Sequence, residues 1–321
     1  MIDNCPPVLI VGFNRPDFLK QVFAQVREAK PSQLFLALDH PREGREDDVE
    51  GWTKCKEVYE GVDWPCEVHR NYAEKNMGCR KRIESAISWA IENEDRVMIL
   101  EDDCVPCQDF FRFCGELLEK YKDDSRVGII SGHDEHLHVP EVDTQGASYY
   151  FDRFTSIWGW ATWKRAWSMH DPSLSYWPAI RDSGKLNDVM VDRASVKLWN
   201  IHFEGVYSQG VDTWDTGLFL TAIKENWLTI HPSVNLVSNI GAGNSSRVGQ
   251  KNSSKKSSPW LNRPYGNIKW PLVHPITMIP NLKSEAFARK MHLGSRWKQM
   301  VRPLARCKWM LLGCVGIRRK G

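Results

Sequence analysis

The chain has 321 residues, of which 42% are hydrophobic and 26% are charged, as in a globular protein with a large buried core. Its formal net charge of +3 argues against a nucleic-acid-binding protein, because such proteins usually carry a strong positive field. No apolar run approaches the roughly 18 residues that a transmembrane helix requires, which argues against a membrane-spanning protein.

The nine cysteines are scattered and odd in number, unlike those of a disulfide-bonded framework. The first apolar strand begins at Pro7, with no secretory signal before it. We therefore expect reduced thiols and a cytoplasmic protein. Cys104 and Cys107 have the spacing of a redox or zinc pair, but Pro106 lies between them and no second pair follows. Coincidental spacing is the favoured interpretation.

Strand and helix patterns alternate through the first 131 residues. Apolar runs predict strands near residues 7–13, 33–38, 66–69, 96–100 and 127–131. Helical spacing of apolar residues predicts helices near residues 17–26, 49–59, 80–91 and 109–121, the first of them capped by Asp17. This alternation predicts right-handed βαβ units and a mostly parallel central sheet flanked by helices.

After about residue 132 the alternation stops. Residues 149–151 predict a short strand, residues 216–225 a helix, and residues 227–230 a strand that ends before Pro232. Four tryptophans lie between Trp158 and Trp167, either as a wall for a sugar or as packing between the sheet and a helix. Residues 241–258 are rich in Gly, Ser, Asn and Lys, which predicts a mobile loop, either a basic lid over a diphosphate or an inert linker.

Three acids, Glu101, Asp102 and Asp103, directly follow the predicted strand at residues 96–100. The carboxyl ends of parallel strands are where open α/β sheets bind ligands. Adjacent carboxylates repel one another and are hard to keep ionised without a cation. Hard oxygen ligands favour Mg²⁺ or Mn²⁺, and these ions commonly bridge to phosphates. The alternative is a solvated acidic turn.

Four segments, in order, resemble the inverting GT-A glycosyltransferases, related to the enzyme that adds N-acetylglucosamine to the mannose core of N-glycans. They are Val8 to Pro16, the strand end at Asp39, Glu101 to Phe111, and Trp214–Asp215. Bacterial proteins of this type, sometimes labelled haemolysin-like, resemble the chain more closely, through the motifs at 76–82, 101–104, 157–163, 212–215 and 235–241. The resemblance covers roughly residues 6 to 243.

The resemblance implies a Rossmann-like GT-A fold, a nucleotide-sugar donor with a UDP-sugar favoured, and Mn²⁺ or Mg²⁺ as the metal. Asp103 matches the metal ligand, and Asp215 matches the general base, with a helix N-cap as its alternative role. The implied donor-binding residues are Arg15, Asp39, Glu101, Asp102 and Arg247, of which Arg247 stands near a position where relatives carry a histidine. The implied acceptor side is formed by Gly159, Trp160 and Trp214.

The resemblance and the composition together predict a catalytic domain at residues 1–285, with a donor half at about 1–131 and an acceptor half at about 132–285. Residues 286–321 contain no acid, ten Lys and Arg residues and two tryptophans. This basic C-terminal extension predicts peripheral binding to an anionic membrane, beside a glycan or lipid-linked acceptor. The alternatives are a tail that folds back and one that mediates self-association.

Two other function classes stay open. A nucleotidyltransferase on a similar α/β sheet would want a Gly-rich loop with a lysine after the first strand, where this chain has Asn14-Arg15-Pro16. A non-enzymatic membrane-associating protein would account for the basic tail, but it would not need the three acids or Trp214–Asp215.

Overall fold

The computed structural model describes residues 5–134, 142–241 and 261–293, and it centres on one large β-sheet. The strands are β1 Val8–Gly12, β2 Gln33–Leu38, β3 Glu67–Tyr72, β4 Arg96–Glu101, β5 Cys104–Pro106, β6 Val127–Ser131, β7 Tyr149–Asp152, β8 Trp160–Trp163, β9 Leu228–Pro232 and β10 Val237–Asn239. The helices are α1 Pro16–Ala29, α2 Glu46–Glu60, α3 Cys79–Asn93, α4 Gln108–Lys120, α5 Lys164–Trp167, α6 Trp177–Ser183, α7 Leu186–Met190, α8 Arg193–Ser208, α9 Asp215–Glu225 and α10 Leu282–Leu293.

The eight-stranded sheet has the order β3-β2-β1-β4-β8-β6-β9-β7, and β5 and β10 form a separate antiparallel pair. Strands β3, β2, β1 and β4 pair in parallel, as do β6 and β9. Strands β8 and β7 run antiparallel to their neighbours. The predicted fold class, α/β with a mostly parallel central sheet flanked by helices in a Rossmann-like arrangement, is confirmed.

Side chains alternate between the two faces of the sheet, and each face has its own helices. Val8 and Ile10 of β1 pack in one apolar cluster with residues of α1, α2 and α4. Leu9 and Val11 pack in a second cluster with residues of α3, α5 and α9. The continuous apolar run in β1 is therefore explained by burial on both faces. Helices α6 to α8 form a third cluster with α9 and α10.

The start of α1 corrects one prediction. Arg15 occupies the N-cap position and Pro16 opens the helix, so Asp17 lies inside the first turn and is not the cap. Proline suits the first helical position because its fixed φ is helical and its missing N–H would have no partner there. This places the Arg15 side chain at the carboxyl end of β1.

Helix α10 crosses the predicted boundary between residues 285 and 286. Asn281 Oδ1 accepts the N–H groups of Lys283 and Ser284, each at 3.1 Å, and so caps the helix. Glu285, fully buried, accepts from Arg153 Nε at 2.6 Å just beyond β7. Since α10 packs against β7 and α8, we extend the proposed catalytic domain to residue 293. Residues 294–321 of the predicted extension lie outside the described residues.

Two further expectations concern thiols and membranes. The cysteines within the described ranges, from Cys5 to Cys114, are all free thiols. None of the helices in the described part of the chain combines the length and the apolarity that a bilayer crossing requires.

Candidate active site

Arg15 and the three acids meet at the carboxyl ends of two neighbouring strands. Strands β1 and β4 pair in parallel with Val11 opposite Glu101, so the residues that follow them lie side by side. Arg15 Nε donates to Asp102 Oδ2 at 3.2 Å, and its Nη2 donates to Asp102 Oδ1. Arg15 Nη1 donates to Asp103 Oδ2 at 2.8 Å. The predicted donor-binding residues Arg15 and Asp102 thus form one ionic cluster with the predicted metal ligand Asp103.

The cluster still has an excess of negative charge. Burial, followed by the charges of Asp103 and Asp102, raises the pKa of Glu101 to about 8, and Asp215 adds a smaller upward contribution. Burial also raises the pKa of Asp102, although Arg15 opposes it. One guanidinium thus faces three acids, of which Glu101 stays neutral below its raised pKa, and a cation bound nearby would favour ionisation of Glu101.

Strand β10 brings another part of the chain against Asp103. Ile240 N donates to the main-chain oxygen of Asp103 at 2.9 Å. A Cβ on Gly241 would overlap Asp103 Oδ2, so only glycine permits this close approach. Asn262 N donates to Asn239 O at 2.8 Å, so the chain at residue 262 again lies beside the end of β10. Arg247 and the rest of the predicted loop after Gly241, residues 242–258, lie outside the described residues.

Asp215 is the first residue of α9 and is exposed. Its Oδ1 accepts from Thr216 N at 2.8 Å and from the Thr213 hydroxyl. Trp214, and not Asp215, holds the N-cap position. Asp215 Oδ2 has no hydrogen-bond partner among the described residues and is available for a ligand.

Two buried tryptophans fix the position of Asp215 relative to the acids. Trp214 stacks on Trp160 with ring centroids 5.7 Å apart and an interplanar angle of 23°. Trp160 lies opposite Ile99, two residues before Glu101. The rings of Trp160 and Trp214 are only 1% and 2% exposed. Because both rings are buried, the predicted direct contact of Trp160 and Trp214 with an acceptor has no support in this structure and stays a prediction.

A cleft of about 170 Å³ opens in front of Asp215. Its walls come from the segment before β8 and from helices α8, α9 and α10: Phe154, Thr155, Ser156, Ile157, Trp158, Trp199, Asp215, Thr216, Phe219 and His292. Trp158 is half-buried and is the member of the 158–167 tryptophan cluster that lines this cleft. Trp199 and His292 were not predicted as site residues, because helices α8 and α10 were not foreseen.

Gly159 turns the chain between the cleft and the sheet. Its φ is +67°, a conformation that favours glycine, and an added Cβ would lie 2.6 Å from Val237 Cγ2. Its carbonyl accepts from Gly132 N at 2.8 Å. This turn places Trp158 at the cleft and Trp160 in the core. The predicted role of Gly159 in shaping an acceptor side stays a prediction.

Asp39, at the end of β2, is 4% exposed and is held by the turn that precedes α3. It accepts main-chain N–H groups from His40 at 2.9 Å, Met77 at 2.9 Å and Gly78 at 3.1 Å. Asn76 Nδ2 donates to it at 3.2 Å. Burial raises the pKa of Asp39 in spite of these bonds. The predicted contact of Asp39 with a nucleotide stays a prediction, because protein donors occupy both of its oxygens.

Beside Asp39 lies a larger cleft of about 630 Å³. It is bounded by the loops that follow β2 and β3 and by the start of α2: residues 40–46, 49 and 74–76. Arg42, Arg45 and Lys75 share this lining with Glu43, Glu46 and Glu74. The cleft is open at the carboxyl end of the sheet, where parallel α/β folds place ligands.

The motif at residues 76–82 is largely structural. Asp212 Oδ1 accepts from Arg80 N at 2.9 Å and Oδ2 from Cys79 N at 3.2 Å, so a distant carboxylate caps α3. Arg82 Nη1 donates to Asn71 Oδ1 at 3.0 Å. The Asp212 contact connects the segment before Asp215 to the start of α3.

The acids suit a magnesium or manganese ion that also binds phosphate. Within the described ranges, no group of three His, Cys, Asp and Glu side chains forms a metal-binding cluster. Mg²⁺ is usually held by one or two carboxylates together with water and substrate phosphates, and not by an all-protein cage. Arg15 occupies both oxygens of Asp102, so Asp103 is the carboxylate that would serve as the protein ligand of such an ion.

No family model matches the sequence, and no curated protein matches it. Among solved structures, 4-diphosphocytidyl-2C-methyl-D-erythritol synthase from Anaerococcus prevotii is similar at 13% identity and a TM-score of 0.31, over 52% of this chain and 74% of that one. A UDP-glucose pyrophosphorylase complexed with UDP-glucose is similar at 10% identity and a TM-score of 0.27, over 47% and 62%. Inositol-1-phosphate CTP transferase from T. maritima is similar at 9% identity and a TM-score of 0.30, over 53% and 75%. These scores are too low to decide an activity.

Proposed function

We propose that this protein is a metal-dependent glycosyltransferase. It would move a sugar from a nucleoside-diphosphate sugar, with a UDP-sugar favoured, to a hydroxyl of a glycan or lipid-linked acceptor, with inversion. The observation that carries the proposal is the ionic cluster of Arg15, Asp102 and Asp103 at the carboxyl ends of β1 and β4. The stacked rings of Trp160 and Trp214 connect β4 to the exposed Asp215, which lines a cleft.

On the donor side, Asp103 would hold Mn²⁺ or Mg²⁺, which would neutralise charge on the leaving diphosphate. Arg15 supplies a second positive charge beside it, with Nη1 2.8 Å from Asp103 Oδ2. Asp102, held by Arg15, is proposed to lie near the ribose. Glu101 is proposed as a further donor-binding residue beside these two acids. The larger cleft beside Asp39 is proposed for the nucleoside.

On the acceptor side, Asp215 Oδ2 is proposed to take the proton of the acceptor hydroxyl. Sugar transfer passes through an oxocarbenium-like state, and inversion requires the base on the face opposite the leaving group. Thr216 N and the Thr213 hydroxyl hold Asp215 Oδ1, which fixes the direction of the other oxygen. Trp158 is proposed as the aromatic wall for the acceptor sugar.

The start of α1 supports glycosyl transfer over nucleotidyl transfer. A phosphate-binding turn needs free main-chain N–H groups at a helix N-terminus. Here Pro16 has no N–H, and the Arg15 side chain is held by Asp102 and Asp103. The segment Asn14-Arg15-Pro16 is therefore a poor cradle for a nucleoside triphosphate.

A panel of sugar nucleotides tests the proposal. The protein is incubated with Mn²⁺ and UDP-, GDP-, CDP- and dTDP-sugars, and release of nucleoside diphosphate is measured. We expect release from one donor, and its loss in Asp103→Asn. Release of pyrophosphate from a nucleoside triphosphate and a sugar phosphate would instead establish a nucleotidyltransferase. No turnover of either kind, together with vesicle binding, would favour the non-enzymatic interpretation.

A further inference from the structure

A row of exposed aliphatic side chains lies between the last sheet contacts and α10. Val273, Ile276, Ile279 and Leu282 are 53%, 98%, 72% and 66% exposed. They recur at every third residue, and we name them the apolar ridge. Such a concentration of exposed aliphatic residues in a short segment usually marks an interaction surface.

The main chain beneath the apolar ridge is fixed to the sheet. Val273 N donates to Ser148 Oγ at 2.9 Å, and Val273 O accepts from Ser148 N at 2.8 Å. Asn281 N donates to Phe151 O at 2.7 Å. These bonds fasten the segment along β7, the edge strand of the sheet. Leu272 is buried, so the segment turns some apolar side chains inward and holds those of the ridge outward.

Basic side chains of the described chain lie on and beside the segment that carries this ridge. Lys269 and Lys283 are exposed on the same segment. Arg126 Nη2 lies 2.9 Å from the sulfur of Met278, which is part of the segment. The sequence after α10, residues 294–321, has basic side chains and no acid, and it lies outside the described part of the chain.

We propose that the apolar ridge inserts into the interface of an anionic lipid bilayer, while Lys269 and Lys283 on the same segment contact lipid phosphates. Aliphatic insertion and electrostatic attraction are each weak alone, and stable peripheral binding usually combines two such signals. A second copy of the chain suits the surface less well. The accessible area of four aliphatic side chains is well below the roughly 800 Å² that each partner of a stable interface buries. The proposal does not depend on glycosyltransferase activity.

Vesicle flotation of the full chain tests the proposal. Vesicles of phosphatidylcholine alone and of phosphatidylcholine with phosphatidylglycerol are compared at low and high salt. We expect binding to the anionic vesicles that falls as salt rises. The variant Ile276→Glu with Ile279→Glu should lower the partition coefficient at least about tenfold, because two aliphatic side chains no longer enter the bilayer.

A matched control separates insertion from the added negative charge. Met169→Glu with Val191→Glu introduces the same charge at residues that are 42% and 71% exposed elsewhere on the surface, and it should lower binding much less. Thermal denaturation verifies that both variants fold. Three results would overturn the proposal: no binding of the unchanged protein to anionic vesicles, an equal loss in both variants, or a dimer in solution that the ridge variant dissociates.

Discussion

Arg15 Nη1 lies 2.8 Å from Asp103 Oδ2, so the carboxylate proposed to hold the metal is already paired with a cation of the protein. The same guanidinium binds Asp102 through two nitrogens. A metal ion at Asp103 would compete with Arg15 for one carboxylate oxygen. A diphosphate would give Arg15 a new anionic partner. Metal and nucleotide should therefore bind cooperatively.

The first prediction removes this competition. In Arg15→Ala, Mn²⁺ should bind about tenfold more tightly without nucleotide, because the ion no longer has to displace the Arg15 guanidinium from Asp103. Breaking a charged hydrogen bond of this kind costs about 1.4 kcal/mol, which corresponds to a tenfold change in affinity. Binding of a nucleoside diphosphate in the presence of Mn²⁺ should weaken. Both are measured by isothermal titration calorimetry. Weaker Mn²⁺ binding in the variant would show that Arg15 assists the metal site and does not compete for it.

The second prediction concerns the proposed base. Asp215→Asn keeps an oxygen to accept from Thr216 N but cannot take a proton, so turnover should fall by roughly two to four orders of magnitude. The Michaelis constant for the donor should change little. Asp188→Asn, at an exposed acid of α7, is the control and should retain full activity. A large loss of donor affinity with normal turnover would make Asp215 a donor-binding residue.

The third prediction separates two tryptophans that are two residues apart. Trp158→Ala should raise the Michaelis constant for the acceptor and lower Tm less than Trp160→Ala does, because Trp158 lines the cleft and is only half-buried against the core. Trp160→Ala should destabilise the fold by about 3–5 kcal/mol, the usual result for a large buried aromatic residue. Steady-state kinetics and thermal denaturation distinguish them. The reverse pattern would restore Trp160 as the acceptor contact.

The fourth prediction addresses the contact between β10 and the acids. Gly241→Ala should force the Asp103 carboxylate to move, because the new Cβ would overlap Oδ2. Mn²⁺ affinity should fall, with a small change in Tm. Gly217→Ala in α9 is the control, since its added Cβ would meet atoms no closer than 3.5 Å. If the two variants bind Mn²⁺ equally, Asp103 is not a metal ligand in this geometry.

The sequence predicts elements that are specified locally. The boundaries of β6 were predicted without error, because Val127 to Ser131 is an uninterrupted buried run. Strand β8 was not predicted, because four residues become a strand only by pairing with β4 and β6. Helix α8 was not predicted either. Its buried face, which includes Trp199 and Phe203, is defined by packing against α9 and α10, and these contacts cannot be read from the local sequence.

The candidate site shows the same limit. Three adjacent acids at a strand end can be read from the sequence, and so can the acid that opens α9. The salt bridge between Arg15 and Asp103 joins residues 88 positions apart, and no local pattern reports it. Nor does composition distinguish Trp158 from Trp160, because the turn at Gly159 decides which ring is buried.

Strand β8 also has a consequence for how the protein folds during synthesis. It lies between β4 and β6, and those two strands pair with β8 and not with each other. Strands β1 to β4 can associate as they leave the ribosome. Strand β6 can join the sheet only after β8, which ends at Trp163, has been synthesised and has paired with β4. Non-local pairing of this kind slows folding and exposes unpaired edges meanwhile. We expect the nascent chain to need chaperone protection while residues 127–163 emerge.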